Sequence, residues 1–85
     1  MTIENLRNVI DVIDAQLIDL LNRRYCYCVE IGKLKKGQGT IVRDAIRERK
    51  IIDTLSENEL YPGMVEAVWP AIMAFSRELQ SDLEK

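Results

Sequence analysis

The sequence predicts an all-α chain with three helices per chain, one very long, one short and one medium, assembled as an intertwined helical dimer. Three observations carry that expectation. Apolar residues recur every three or four positions through most of the chain. Alternation of period two is nowhere sustained, and no hairpin turn separates β-branched runs. The first periodic stretch is also too long for a globule of 85 residues.

That stretch runs through Ile3, Leu6, Ile10, Ile13, Leu17, Leu20, Arg24, Tyr27, Ile31 and Leu34, in alternating steps of three and four. No Gly or Pro interrupts residues 2 to 31. Thr2 is a good N-cap, and Gly37 and Gly39 supply the stop after the basic last turn of Lys33, Lys35 and Lys36. A helix of roughly 33 residues is about 50 Å long at 1.5 Å per residue. A compact chain of this size has a radius of gyration of about 12 Å and a diameter near 30 Å. About 20 Å of apolar seam then faces water unless a second chain covers it.

The second helix is expected over about Ile41 to Leu55, after the "KGQG" turn, with Val42, Ala45, Ile46 and Ile52 on one side. Asp44, Glu48, Ile51 and Leu55 share a neighbouring stripe, which turns the two acids inward. "SENELYPG" is the connecting loop, and Pro62 marks the approach to a third helix ending near Leu83. Its inward stripe reads Val65, Val68, Trp69, Ile72, Ser76, Leu79, Gln80 and Leu83, so Ser76 and Gln80 interrupt an apolar face. Pro70 falls inside this helix, where it removes the bond to the Glu66 carbonyl and typically costs about 3 kcal/mol or kinks the helix. No repeat or low-complexity tract is present, and residues 1–85 read as a single helical domain.

Composition narrows the function. A net charge of −2 argues against a broad electrostatic footprint for nucleic acid or an acidic membrane. No apolar run approaches the roughly 18 residues of a membrane span, and "MTIENLRNVID" lacks the basic head and apolar core of a signal peptide. A cytoplasmic location is the expectation. There is no histidine, and Cys26 and Cys28 are two apart, on different faces of a helix, where they cannot chelate one ion or bond to each other. "YCYC" reads as packing, with Tyr25, Tyr27 and Cys28 between helices. The inventory favours a function that needs neither metal nor covalent catalysis.

Several polar residues sit where apolar ones are expected. Arg24 occupies a seam position, where a charge must be paired or serve a ligand. Lys35, three turns later and about 20° round the helix, looks the same way. Each alone could be an alkyl stem snorkelling to water, Arg7 an ordinary surface residue, and Arg43, Asp44, Arg47 and Glu48 an ion-paired face. Ser76 and Gln80 could bond to backbone.

Taken jointly, "LRNVIDVIDAQLIDLLNRR", "VEIGKLK", "VRDAIRERKI" and "FSRELQ" occur in an order that resembles the all-helical chorismate mutases, free-standing or as the N-terminal domain of prephenate-forming fusions. The resemblance covers nearly the whole chain, without a gap from Leu6 to Arg49 and with a short connection before Leu60. It implies an isomerase of aromatic amino acid biosynthesis in the shikimate pathway. The reaction is the unimolecular Claisen rearrangement of chorismate to prephenate, with no cofactor and no metal.

Arg7, Arg24, Lys35, Asp44, Arg47, Glu48, Ser76 and Gln80 fall on the family's substrate-binding positions. The resemblance assigns Arg24 and a partner's Arg7 to the two carboxylates, and Lys35 and Gln80 to the ether oxygen. It gives Glu48, with Asp44 and Arg47, to the ring hydroxyl, and Ser76 to the carboxylate end. Lys35, Gln80, Glu48 and Arg24 are the catalytic set. Spacing independently supports the homodimer for such a site, because Arg7 and Lys35 lie about 42 Å apart on one straight helix. The alternatives are an isochorismate pyruvate lyase on the same scaffold, a non-catalytic dimerisation module, and a nucleic-acid-binding helical domain, the last disfavoured by charge.

Overall fold

The computed structural model describes residues 1–36 and 44–82, with side chains described as far as Gln80. It contains three helices: α1 over Ile3–Lys36, α2 over Ala45–Ser56 and α3 over Met64–Asp82. Among the described residues there is no strand. No described helix is long and apolar enough to cross a membrane.

α1 begins where the sequence places it. The Thr2 Oγ1 accepts the Asn5 N–H at 3.0 Å, and the Leu6 N–H reaches the Thr2 carbonyl at 3.1 Å. Glu4 sits in the first turn and Lys33, Lys35 and Lys36 in the last, each complementing the helix dipole. Gly37 and Gly39, the expected stop, lie outside the described residues. With 34 residues, α1 alone sets the long axis of a molecule measuring 54 × 24 × 14 Å. The radius of gyration is 16.1 Å, well above the roughly 12 Å of a compact chain this long.

α3 is the middle helix, packing against the C-terminal half of α1 on one side and against α2 on the other. Val65, at 2% exposure, forms the small core with Ile52 and Met73, and Ile51, Leu55 and Trp69 pack around it. On the α1 side, Tyr25 meets Phe75 edge to face, with ring centroids 5.0 Å apart, and Cys28 and Gly32 are buried. Tyr27, expected between helices, is exposed instead. It lies about 100° round the helix from Cys28, so α3 cannot cover both.

α2 starts later than its apolar spacing suggests, and residues 41–43 fall outside the described set. Asp44 is the N-cap rather than a helical residue: its φ is −119°, and its Oδ1 accepts the Arg47 N–H at 2.9 Å. It is exposed, so of the two acids expected to turn inward only Glu48 is half-buried. Ala45 and Ile46 are exposed too, because the face turned to α3 runs through Glu48, Ile51, Ile52 and Leu55.

The loop before α3 is capped by a feature that periodicity does not reveal. The two Glu59 oxygens accept the Val65 and Gly63 N–H groups, each at 3.0 Å. These bonds, Val65's first, hold the carboxyl below its usual range. Gly63 has φ +92°, a conformation that favours glycine. α3 runs unbroken through Pro70, which is exposed. Val68, expected inward, is 43% exposed, and Met73 takes the core position instead. Leu83 lies outside the described residues.

Candidate functional site

A cavity of about 320 Å³ opens between the C-terminal half of α1, the start of α2 and the C-terminal half of α3. α1 contributes Arg24, Cys28, Ile31 and Lys35, which share a face because they are spaced by three, four and seven residues. α2 contributes Asp44, Arg47, Glu48 and Ile51 from its first two turns. α3 contributes Met73, Ser76, Arg77 and Gln80, again at i, i+3, i+4 and i+7.

Seven of the eight residues singled out from the sequence therefore line one cavity: Arg24, Lys35, Asp44, Arg47, Glu48, Ser76 and Gln80. Arg7 does not. It is exposed on the first turns of α1, about 26 Å along the helix from Arg24. Pro70 does not divert the end of α3, since Ser76 and Gln80 are both buried at the cavity wall.

The buried polar groups are organised around Arg24. Its Nη1 donates to the Ser76 Oγ at 2.5 Å and lies 3.7 Å from the Cys28 Sγ. The Ser76 hydroxyl in turn donates to the Ile72 carbonyl at 2.8 Å, which fixes the rotor so that its lone pairs face the guanidinium. Arg24 is thereby held across the interface between α1 and α3 instead of snorkelling outward. Gln80 is 8% exposed, and its Oε1 is buried without a hydrogen-bond partner among the described residues. An amide oxygen left so costs on the order of 1–3 kcal/mol until a donor reaches it.

On the opposite wall, Arg77 Nη1 donates to Glu48 Oε2 at 2.6 Å. Arg77 was not among the residues singled out from the sequence. The signal existed in "FSRELQ", because positions 73, 76, 77 and 80 make one face. The stripe through 72, 76, 79 and 80 runs beside it and leaves residue 77 out.

Four cations, Arg24, Lys35, Arg47 and Arg77, thus face two carboxylates, Asp44 and Glu48, for a net of +2 in one chain of an acidic protein. Among the described residues, no group of His, Cys, Asp and Glu is placed to hold a metal ion. The wall offers guanidinium forks, an ammonium group and an amide, which suit a small ligand carrying more than one negative charge. Its apolar floor, Cys28, Ile31, Ile51 and Met73, strengthens those charges by limiting water.

Compared with known proteins, the chain finds no match among curated sequences. The model of a protein family described as chorismate mutase type II matches residues 6–81.

Proposed function

The chain belongs to the chorismate mutase type II family, a family of isomerases, and on that premise we propose that its cavity carries chorismate through the Claisen rearrangement to prephenate. The observation that supports this reading is the convergence of Arg24, Lys35, Arg47, Glu48, Ser76 and Gln80, from three helices, on one cationic cavity. In the rearrangement the ether C–O bond breaks as a C–C bond forms, and no proton moves. The protein's part is to hold the flexible enolpyruvyl arm over the ring and to stabilise the negative charge that develops on the ether oxygen.

In this scheme Arg24, braced by Ser76, grips one carboxylate with its planar fork. Lys35 and the side-chain N–H of Gln80 donate to the ether oxygen. Glu48, with Asp44 and Arg47 beside it, accepts the ring hydroxyl.

The second carboxylate falls to Arg7 of a second copy of the chain. Its own copy cannot supply it, and the apolar residues around it, Leu6, Ile10 and Ile13, are exposed. The proposed homodimer covers that face and completes the cavity in one step. Gln80 is an amide, so its donor role persists at neutral pH and no acid activation is expected; a turnover profile rising only below about pH 5 contradicts that role.

Incubating the purified protein with chorismate, without cofactor, and following the ultraviolet absorbance tests the reading. Formation of prephenate is expected. Inert chorismate, or pyruvate release from isochorismate in its place, overturns it. The carboxylate of Glu48 inside the cavity favours the mutase over the lyase, since it provides an acceptor for the ring hydroxyl.

A further inference from the structure

The cavity holds a fourth cation, Arg77, to which the scheme above gives no task. Among the described residues, two ion pairs join α2 to α3. On the outer face Arg49 bridges Glu66 at 2.7 Å and Asp53 at 2.6 Å, and all three side chains are more than half exposed. On the cavity face Arg77 meets Glu48 at 2.6 Å, with side-chain exposures of only 29% and 19%. The outer pair also links the two helices, so the inner one is not their one clamp among the described residues. It is also less screened by solvent and therefore better placed to fix a geometry.

An isolated carboxylate in the wall of a site for a dianion repels its own ligand. Paired with a guanidinium, the two groups form a neutral unit. An ionised carboxylate has about four lone-pair sites, so the bond from Arg77 to Oε2 does not by itself prevent Glu48 from accepting a hydroxyl.

We propose that Arg77 is a positioning residue, which anchors Glu48 Oε2 and thereby aims the carboxylate at the ring hydroxyl of chorismate while offsetting its charge against the dianion. The inference rests on the mutase reading. It assigns Arg77 an effect that depends on one substrate group, which a merely structural arginine would lack. The planar fork matters as well as the charge, so lysine is expected to substitute only in part.

Steady-state kinetics on Arg77→Ala, Arg77→Gln and Arg77→Lys, with chorismate and with an analogue lacking the ring hydroxyl, tests this. For chorismate, kcat/KM should fall roughly tenfold in the alanine and glutamine variants, the size of one charge-assisted hydrogen bond, and recover partly in the lysine variant. For the analogue, the charge-retaining lysine variant should match wild type within about twofold, and the alanine and glutamine variants should lose clearly less than they do on chorismate. Unaltered helical circular dichroism identifies the variants in which the comparison is made, and three substitutions guard against one that fails to fold. Equal losses on both substrates, or no loss on chorismate, overturn the inference while leaving the mutase reading intact. A wild type inert toward chorismate removes both.

Discussion

The two halves of α1 follow the same apolar pattern and meet different fates. Residues eighteen apart on an α-helix are five turns apart and point the same way. Ile10 and Cys28 form such a pair, one 53% exposed and the other 8%. Leu17 and Lys35 form another, as do Leu6 and Arg24. The C-terminal member of each lies against α3 or in the cavity, and the N-terminal member faces solvent. One face of one helix therefore has a finished end and an unfinished end.

That difference is what the proposed second copy accounts for. Residues 3–20 make five helical turns, every residue of them exposed, and an isolated helix of that length is marginal in water. Leu6, Ile10, Ile13, Leu17 and Leu20 are each about half exposed. Covering each adds on the order of 1 kcal/mol, about half the value of a complete burial. The proposed second copy gives these side chains their cover and brings Arg7 to the cavity at the same time.

The finished end should be the more sensitive to a single charge. Lys35→Ala removes a cation proposed to act mainly in the transition state, so kcat should fall by about two or more orders of magnitude with circular dichroism unchanged; near-full turnover takes Lys35 out of the mechanism. The unfinished end should break through association instead. Leu17→Asp places a charge on the face to be covered, and sedimentation should show monomers with turnover down at least tenfold. A monomeric wild type with full activity would dissolve the distinction between the two halves.

Smaller effects sharpen the comparison. Ser76→Ala deletes the acceptor that braces Arg24 and should raise KM up to about tenfold, the scale of one hydrogen bond to a charged group. An unchanged KM would show that Arg24 holds its place without Ser76. Glu59 lies outside the cavity and should affect stability alone. Its carboxyl is held below the usual value by the Val65 and Gly63 N–H groups. Its contribution is therefore fully present above about pH 4.3, the unfolded value, and lost as the pH falls through the lower folded value. Urea unfolding of Glu59→Gln against wild type should show a gap at pH 7 that closes in acid.

Much of this was legible in the sequence because helical periodicity is strong and α1 carries its own cap. The convergence of seven of the eight residues marked by resemblance was legible for the same reason, since motif spacing preserves faces. Where the sequence misled, spacing was ambiguous. Asp44 fits the stripe through Glu48, Ile51 and Leu55, and counting cannot tell a helix's first residue from the extended residue that caps it. Ile46 and Tyr27 have the right periodicity for burial but lie on faces that α3 does not reach. Arg77 went unmarked because a neighbouring stripe fits the apolar pattern equally well. The Glu59 cap has no periodic signature at all.

The central claim is that each site draws residues from two chains, and mixing tests it most directly. Arg7→Ala and Arg24→Ala are each expected to be nearly inactive alone. When they are combined in equal amounts and allowed to exchange subunits, half of the dimers should be mixed, each with one intact site. Turnover should then return to about a quarter of the wild-type value. A mixture no more active than its components, despite demonstrated subunit exchange, would contradict the shared site.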